Sequence, residues 1–181
     1  AIVLGGGVIG VEFASIWRSF GVDVTVLEAL PRLVSGEDPS ISTALERAFA
    51  RRKIKVLKGA ALAACHANES GVRAELADGQ VLEAELMLVA VGRGPLTADL
   101  GYQEAGIDLD DGFVRVSERL ETSIPGVYAL GDVVRGLQLA HRGFAQGIFV
   151  AEEIAYRTGV LDREPITIAD SQIPRVTYCD P

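Results

Sequence analysis

An α/β fold built on a doubly wound parallel sheet, interrupted by an antiparallel β-meander, is what this sequence predicts. Three observations carry the prediction. "AIVLGGGVIGVE" places a glycine-rich bend between a short apolar strand and a helix. "DVTVLE" follows as a β-branched strand and completes a βαβ unit of about 30 residues. Residues 62–84 then break into short runs split by "NESG" and "DG", the punctuation of a meander.

The elements follow in order. Residues 1–4 read as a buried strand, and the helix after the glycines predicts an apolar face of Val8, Val11, Ile16 and Phe20, with Gly21 as its stop. Residues 23–28 are the second strand. Asp38 and Pro39 open a second helix, the Asp side chain capping free N–H groups and Pro sitting where no N–H is needed. Ile41, Leu45 and Phe49 give it a buried stripe, and "IKVL" is the third strand. Beyond the meander, "ELMLVAVG" returns as a buried, central parallel strand ending at Gly92. After "GRGP" the chain turns to loops, with "FVRV" and "GVYALGD" as short strands, the latter ending in a Gly-Asp turn. Residues 139–157 form a long amphipathic helix with Leu139, Phe144, Ile148, Ala151 and Ala155 on one side and Gly159 as its stop. These later elements are too few to close a sheet of their own.

Composition bounds the function. At 181 residues, with 49% apolar and 23% charged side chains, the chain is long enough for a packed domain and part of another. A net charge of −8 works against binding a polyanion, so nucleic acid is not an expected partner. No apolar run reaches the ~18 residues of a membrane span and no basic signal start precedes the first strand, which predicts a cytoplasmic protein without membrane association. Beginning at Ala1 inside an apolar run, the sequence reads as a piece of a longer chain. Cys65 and Cys179 are too far apart for a close-spaced redox pair, and His66 and His141 have no ligand partners nearby in sequence, so no metal site is expected.

Gly5, Gly7 and Gly10 form G-x-G-x-x-G between strand and helix, which makes the first unit Rossmann-like. Gly5 serves the tight turn, Gly7 lets backbone approach a pyrophosphate, and Gly10 lets helix and strand pack closely. The helix N-terminus then offers unpaired N–H groups to an anion. Glu28 ends the second strand 18 residues beyond Gly10, where a carboxylate can accept hydrogen bonds from both hydroxyls of an adenosine ribose. The acid opposes a 2′-phosphate and no Arg follows it immediately, so NAD is expected over NADP; the one feature against this is Arg32, four residues on, whose flexible guanidinium could reach such a phosphate. Taken alone, Glu12 reads as a carboxylate suited to a helix N-terminus, Arg93 as a solvated loop residue, and Asp132 as part of a Gly-Asp turn.

Together, "GGGVIGVEFASIW", "VTVLE", "LMLVAVGRGP", "TSIPGVYALGDVVRG" and "LAHRGFAQG" resemble the flavin-dependent pyridine nucleotide-disulphide oxidoreductases. In that family an NAD domain is inserted into an FAD domain. The resemblance implies an NAD-binding domain over residues 1–97, an incomplete returning flavin-domain segment over 98–165 and the start of a dimerisation domain over 166–181. It implies that Gly5, Gly6, Gly7, Val8, Ile9, Gly10, Val11 and Glu12 line the pyrophosphate and nicotinamide side of NAD, and that Glu28 holds the adenosine ribose. Leu62 would lie near the adenine and Gly92 near the nicotinamide half. Asp132 would bind the flavin ribitol, and Gln138, Leu139, Ala140 and His141 would lie against the isoalloxazine end, with Gln138 departing from the Met common there.

Within the family, the acid at Glu28 and "LAH" point to oxidation of dihydrolipoamide with NAD as acceptor. The resemblance implies a homodimeric parent that receives dihydrolipoamide on an acyltransferase or similar lipoyl protein. An NADH-dependent flavin oxidase, another disulphide reductase, or a stand-alone NAD-binding module are the alternatives. The family's upstream flavin glycine motif, its Cys-x-x-x-x-Cys pair and its C-terminal His and Glu are not in this sequence. No catalytic residue is therefore assigned here, and the chain by itself is expected to be inactive in the full reaction, to bind NAD(H) and to retain no flavin.

Overall fold

A computed structural model describes residues 1–180, which divide into two compact units, residues 1–92 with 176–180 and residues 93–175. The first unit runs β1 (Ile2–Leu4), α1 (Val8–Ser19), β2 (Thr25–Glu28), α2 (Pro39–Arg51), β3 (Lys55–Lys58), β4 (Leu62–Asn68), β5 (Gly71–Leu76), β6 (Val81–Ala84) and β7 (Met87–Val89). Strands β3-β2-β1-β7 form a parallel sheet in that order, and β4-β5-β6 form the antiparallel meander.

Strand alternation decides what covers each face. Val3 and Val26, both fully buried, point to the side of α1 and α2 and meet Val11, Ala14, Leu33 and Phe49. Their neighbours Ile2 and Leu27 point the other way and meet Ala74 and Leu76 of the meander. The meander thus occupies the sheet face opposite the two helices. Each such side chain removed from water contributes about 1.5–3 kcal/mol, which holds the three layers together.

Several elements differ from the sequence expectation. The buried face of α1 is Gly10, Val11, Ala14 and Ser15; Val8, Ile16 and Phe20 are exposed. Small residues win because the helix must lie close to the strand: a Cβ on Gly10 would meet the Gly5 carbonyl oxygen at 1.9 Å. β2 begins only at Thr25. In α2 the Asp38 cap forms as expected, its carboxylate accepting from the Ser40 N–H at 2.8 Å, but Ile41 is exposed and Ser42 takes the buried place. β7 is short and lies at the sheet edge beside β1, with Val89 exposed, so it is neither central nor fully buried.

The second unit carries a hairpin of β8 (Leu109–Asp110) and β9 (Phe113–Val114), a 3-10 turn at Gly131–Val133, α3 (Ala140–Arg157) and a second 3-10 turn at Asp170–Gln172. "GVYALGD" makes only an isolated bridge, Glu121 to Tyr128, before the 3-10 turn, so no strand forms there. The expected apolar face of α3 is also wrong. Phe144, Ile148 and Ala151 are exposed, while Arg142, Gln146, Phe149, Val150 and Glu153 are buried.

Specific polar partners drive that choice. The Glu153 carboxylate, 1% exposed, accepts from Arg119 on both oxygens and from Arg157 Nε at 2.7 Å. These donors, Arg119 first, hold its pKa down from 4.5 to about 2, against the opposing effect of burial. Arg142 donates to Asp170 at 2.6 Å and to the Arg135 carbonyl at 2.8 Å. Paired in this way, charged groups tolerate burial that would otherwise be prohibitive.

Candidate functional site

The carboxyl ends of β1, β2, β3 and β7 all open into one cleft of about 640 Å³. β1 is followed on one side of the sheet by β2 and β3 and flanked on the other by β7, so the cleft lies where the strand order switches direction, the usual ligand position in open parallel sheets. Its lining includes Gly5, Gly7, Val8, Ile9, Glu28, Leu62 and Gly92 among the residues singled out from the sequence.

The glycines divide the work. Gly5 has φ +107°, and a Cβ there would meet the Ala90 carbonyl oxygen at 2.3 Å, where the turns after β1 and β7 abut. A Cβ on Gly6 would meet Leu33 Cδ2 at 2.5 Å and Glu28 Oε2 at 2.9 Å. Gly7 is the opposite case: φ is −73°, and nothing lies within 4 Å of where its Cβ would stand. That open space fronts the N-terminus of α1, whose cap position, Gly7, supplies no side-chain hydrogen bond and whose first turn has no acidic residue. The first N–H groups of such a helix need an outside partner, and a phosphate oxygen meets that need in charge and direction.

Glu28 stands at the rim, half-buried. Its Oε2 accepts from the Gly6 N–H at 2.6 Å and its Oε1 from the Leu30 N–H at 2.7 Å. Each carboxylate oxygen has room for about two hydrogen bonds, so both retain capacity for a vicinal diol. Arg32 is turned into its own loop, donating to the carbonyls of Glu37 (2.7 Å) and Ser35 (2.5 Å) and to Ser42 Oγ (2.9 Å). The wall after β2 presents Ala29, Leu30 and Ser35 to the cleft, none of them cationic.

Other expected residues lie elsewhere. Gly10 and Val11 are buried against the sheet. The Glu12 carboxylate accepts the Tyr178 N–H at 2.8 Å. In the second unit, Asp132 sits in the 3-10 turn after Gly131, whose φ is +75°, and its half-exposed carboxylate is 3.7 Å from Arg93. Gln138 Nε2 donates to the Asp132 carbonyl at 3.3 Å, Leu139 caps α3, Ala140 begins it, and His141 Nε2 lies 2.8 Å from the Pro174 carbonyl. These five residues are therefore gathered around one end of α3. Sequence reading did not identify Ala29, Leu30, Ser35, Ala60, Ala61, Ala90 or Val91 as cleft residues. Except for Ser35, which lies farther along the loop after β2, their signal was position: each stands just past a parallel strand, where ligands bind in such sheets. Among the described residues, no cluster of His, Cys, Asp and Glu is placed to hold a metal ion, and no helix is long and apolar enough to cross a membrane.

The family model for pyridine nucleotide-disulphide oxidoreductases matches residues 1–147, and the chain belongs to that family. Among its relatives is the dihydrolipoyl dehydrogenase of Chlorobaculum parvum, 41% identical over 99% of this chain and 38% of that protein. The dihydrolipoyl dehydrogenase of Cupriavidus necator is 39% identical over 97% of this chain and 38% of its own length. Of solved structures, LpdA from Mycobacterium tuberculosis superposes with a TM-score of 0.86 at 28% identity, covering 98% of this chain and 38% of that one. The HOCl-induced flavoprotein disulfide reductase RclA from Escherichia coli, as its Cu(II) complex, gives a TM-score of 0.79 at 32% identity over 84% of this chain and 35% of that one. The chain spans less than two fifths of the length of these relatives. The family implies NAD and FAD. The open space at Gly7, the uncapped α1 terminus and the Glu28 carboxylate suit a dinucleotide with an unphosphorylated ribose diol. For FAD the chain offers the exposed Asp132 carboxylate and the loop leading into α3.

Proposed function

We propose that this chain is the NAD-binding portion, with part of the FAD-binding portion, of a flavoprotein that oxidises dihydrolipoamide with NAD as acceptor. The observation that carries the reading is the open space at Gly7 before an α1 N-terminus that has no side-chain cap, with Glu28 at the rim of the same cleft. In this reading the N–H groups after Gly7 bind the pyrophosphate and Glu28 takes the adenosine ribose diol. Leu62 lies toward the adenine, and Gly92 and Glu12 toward the nicotinamide. Asp132 and residues 138–141 meet the flavin, and the domains divide at 97/98 and 165/166. The bound cofactors supply hydride and electron transfer, while the residues of this chain align them. The parent is a cytoplasmic homodimer that receives dihydrolipoamide on a lipoyl-bearing acyltransferase.

Calorimetric titration of the 181-residue chain with NADH, NADPH and FAD tests the local part. NADH should bind more tightly than NADPH, Glu28→Ala should erase that preference, and FAD should not be retained. Equal binding of both dinucleotides by the unsubstituted chain would refute the assignment of Glu28. For the parent, NAD reduction by dihydrolipoamide, set against turnover with oxygen or other disulphides, separates the proposed reaction from those of related reductases and oxidases.

A further inference from the structure

We infer that Arg32 is a positioning residue of the dinucleotide cleft: it staples the loop after β2 so that the Gly6 peptide is fixed and its own charge is kept out of the cleft. The inference rests on the reading of the cleft as an NAD site. Gly6 is held at both ends by this loop and its stem. Its N–H donates to Glu28 Oε2 at 2.6 Å, and its carbonyl accepts the Val34 N–H at 2.8 Å. Val34 makes that bond from φ +41°, a region that a β-branched residue avoids unless its surroundings enforce it.

Arg32 supplies the enforcement. One terminal nitrogen bonds the Glu37 carbonyl and Ser42 Oγ, and the other bonds the Ser35 carbonyl, so the guanidinium ties the second half of the loop to α2. Ser42 is 2% exposed and passes the tie back by donating to the Leu33 carbonyl at 2.7 Å. Leu33 and Val34 are themselves buried in the core beneath α1 and α2. The same bonds consume the one cation of residues 29–37, leaving the wall beside Glu28 without a partner for a 2′-phosphate. A planar fork serves these three acceptors from two nitrogens at fixed angles, whereas a lysine ammonium has three donors on a single nitrogen and no fixed geometry.

Two measurements on the 181-residue chain test this. Without ligand, Arg32→Gln should speed amide hydrogen exchange at Gly6 and Val34 by about 10-fold or more while α3 amides stay unchanged. With ligand, it should weaken NADH binding by about 10-fold, Arg32→Lys should recover only part of the loss, and NADPH should not be selectively weakened. Ser42→Ala, which removes one acceptor at little change in volume, should move both readouts the same way by less and serves if Arg32→Gln does not fold. Unchanged exchange at Gly6 and Val34, or a lowered melting temperature with NADH affinity intact, would overturn the positioning role. Selective loss of NADPH binding would overturn it too, by making Arg32 a phosphate ligand. Failure of the unsubstituted chain to bind NADH overturns the NAD reading and Arg32's role in binding with it, and is told apart by the exchange data.

Discussion

Gly7 and Gly10 stand three residues apart in one motif, yet the structure gives them opposite reasons for being glycine, and alanine substitution separates the two. At Gly7 the new methyl meets nothing within 4 Å and φ of −73° is open to any residue. Replacing glycine by alanine at a helix N-cap costs about 0.5–1 kcal/mol, and the stiffer unfolded chain returns about 0.4–1 kcal/mol, so the net change in stability is near zero. The methyl does, however, occupy the space through which a pyrophosphate would reach the α1 amides. Losing one charge-assisted hydrogen bond there removes about 1.5–3 kcal/mol, a rise of about 10- to 150-fold in the NADH dissociation constant. At Gly10 the same methyl would stand 1.9 Å from the Gly5 carbonyl oxygen, which forces α1 off the sheet. Gly10→Ala should therefore melt early or fail to fold. Urea unfolding followed by circular dichroism, with NADH titration by fluorescence, reads both effects. A Gly7→Ala protein that keeps full NADH affinity would refute the placement of the diphosphate, and a stable Gly10→Ala protein would refute the close helix–strand approach.

Three further outcomes are expected. Glu153 has a folded pKa lowered from 4.5 to about 2, so its contribution of about 3 kcal/mol is present above the unfolded value and is lost as pH falls from 4.5 toward 2. The stability gap between the unsubstituted chain and Glu153→Gln, measured by urea unfolding, should be largest near neutral pH and close over that acid window; a gap independent of pH would contradict the ion-pair account. Cys65 is exposed, whereas burial, reinforced by Glu12, pushes the Cys179 thiol up to about 11. A chromogenic disulphide reagent at pH 8 should accordingly label one thiol fast and one slowly, with Cys65→Ser abolishing the fast phase. Phe144 and Ile148 are 78% and 64% exposed on α3, an apolar pair that should make the 181-residue chain self-associate on size exclusion; Phe144→Lys with Ile148→Lys should reduce that association without lowering the melting temperature.

Strand-and-glycine grammar was legible at once: the βαβ start, the Asp38 cap, the meander and the acid that ends β2 are all local in origin, set by turn chemistry and short-range periodicity. Helix faces were not. Val8, Ile16 and Phe20 on α1, and Phe144 and Ile148 on α3, look like buried stripes by spacing, because periodicity records where apolar groups fall and not what stands opposite them.

Taken alone, then, the chain's order of residues determined that a parallel sheet would form, that a glycine bend would precede α1, and that an acid would end β2. Tertiary structure alone decided that Gly7 faces open space while Gly6 and Gly10 face their own backbone and side chains, that Arg32 is spent on its loop, and that Glu153 is buried between two arginines. The difference is one of range. Turns and caps are settled by bonds between near neighbours in sequence, whereas free space and charge pairing depend on partners that only folding brings within a few ångströms.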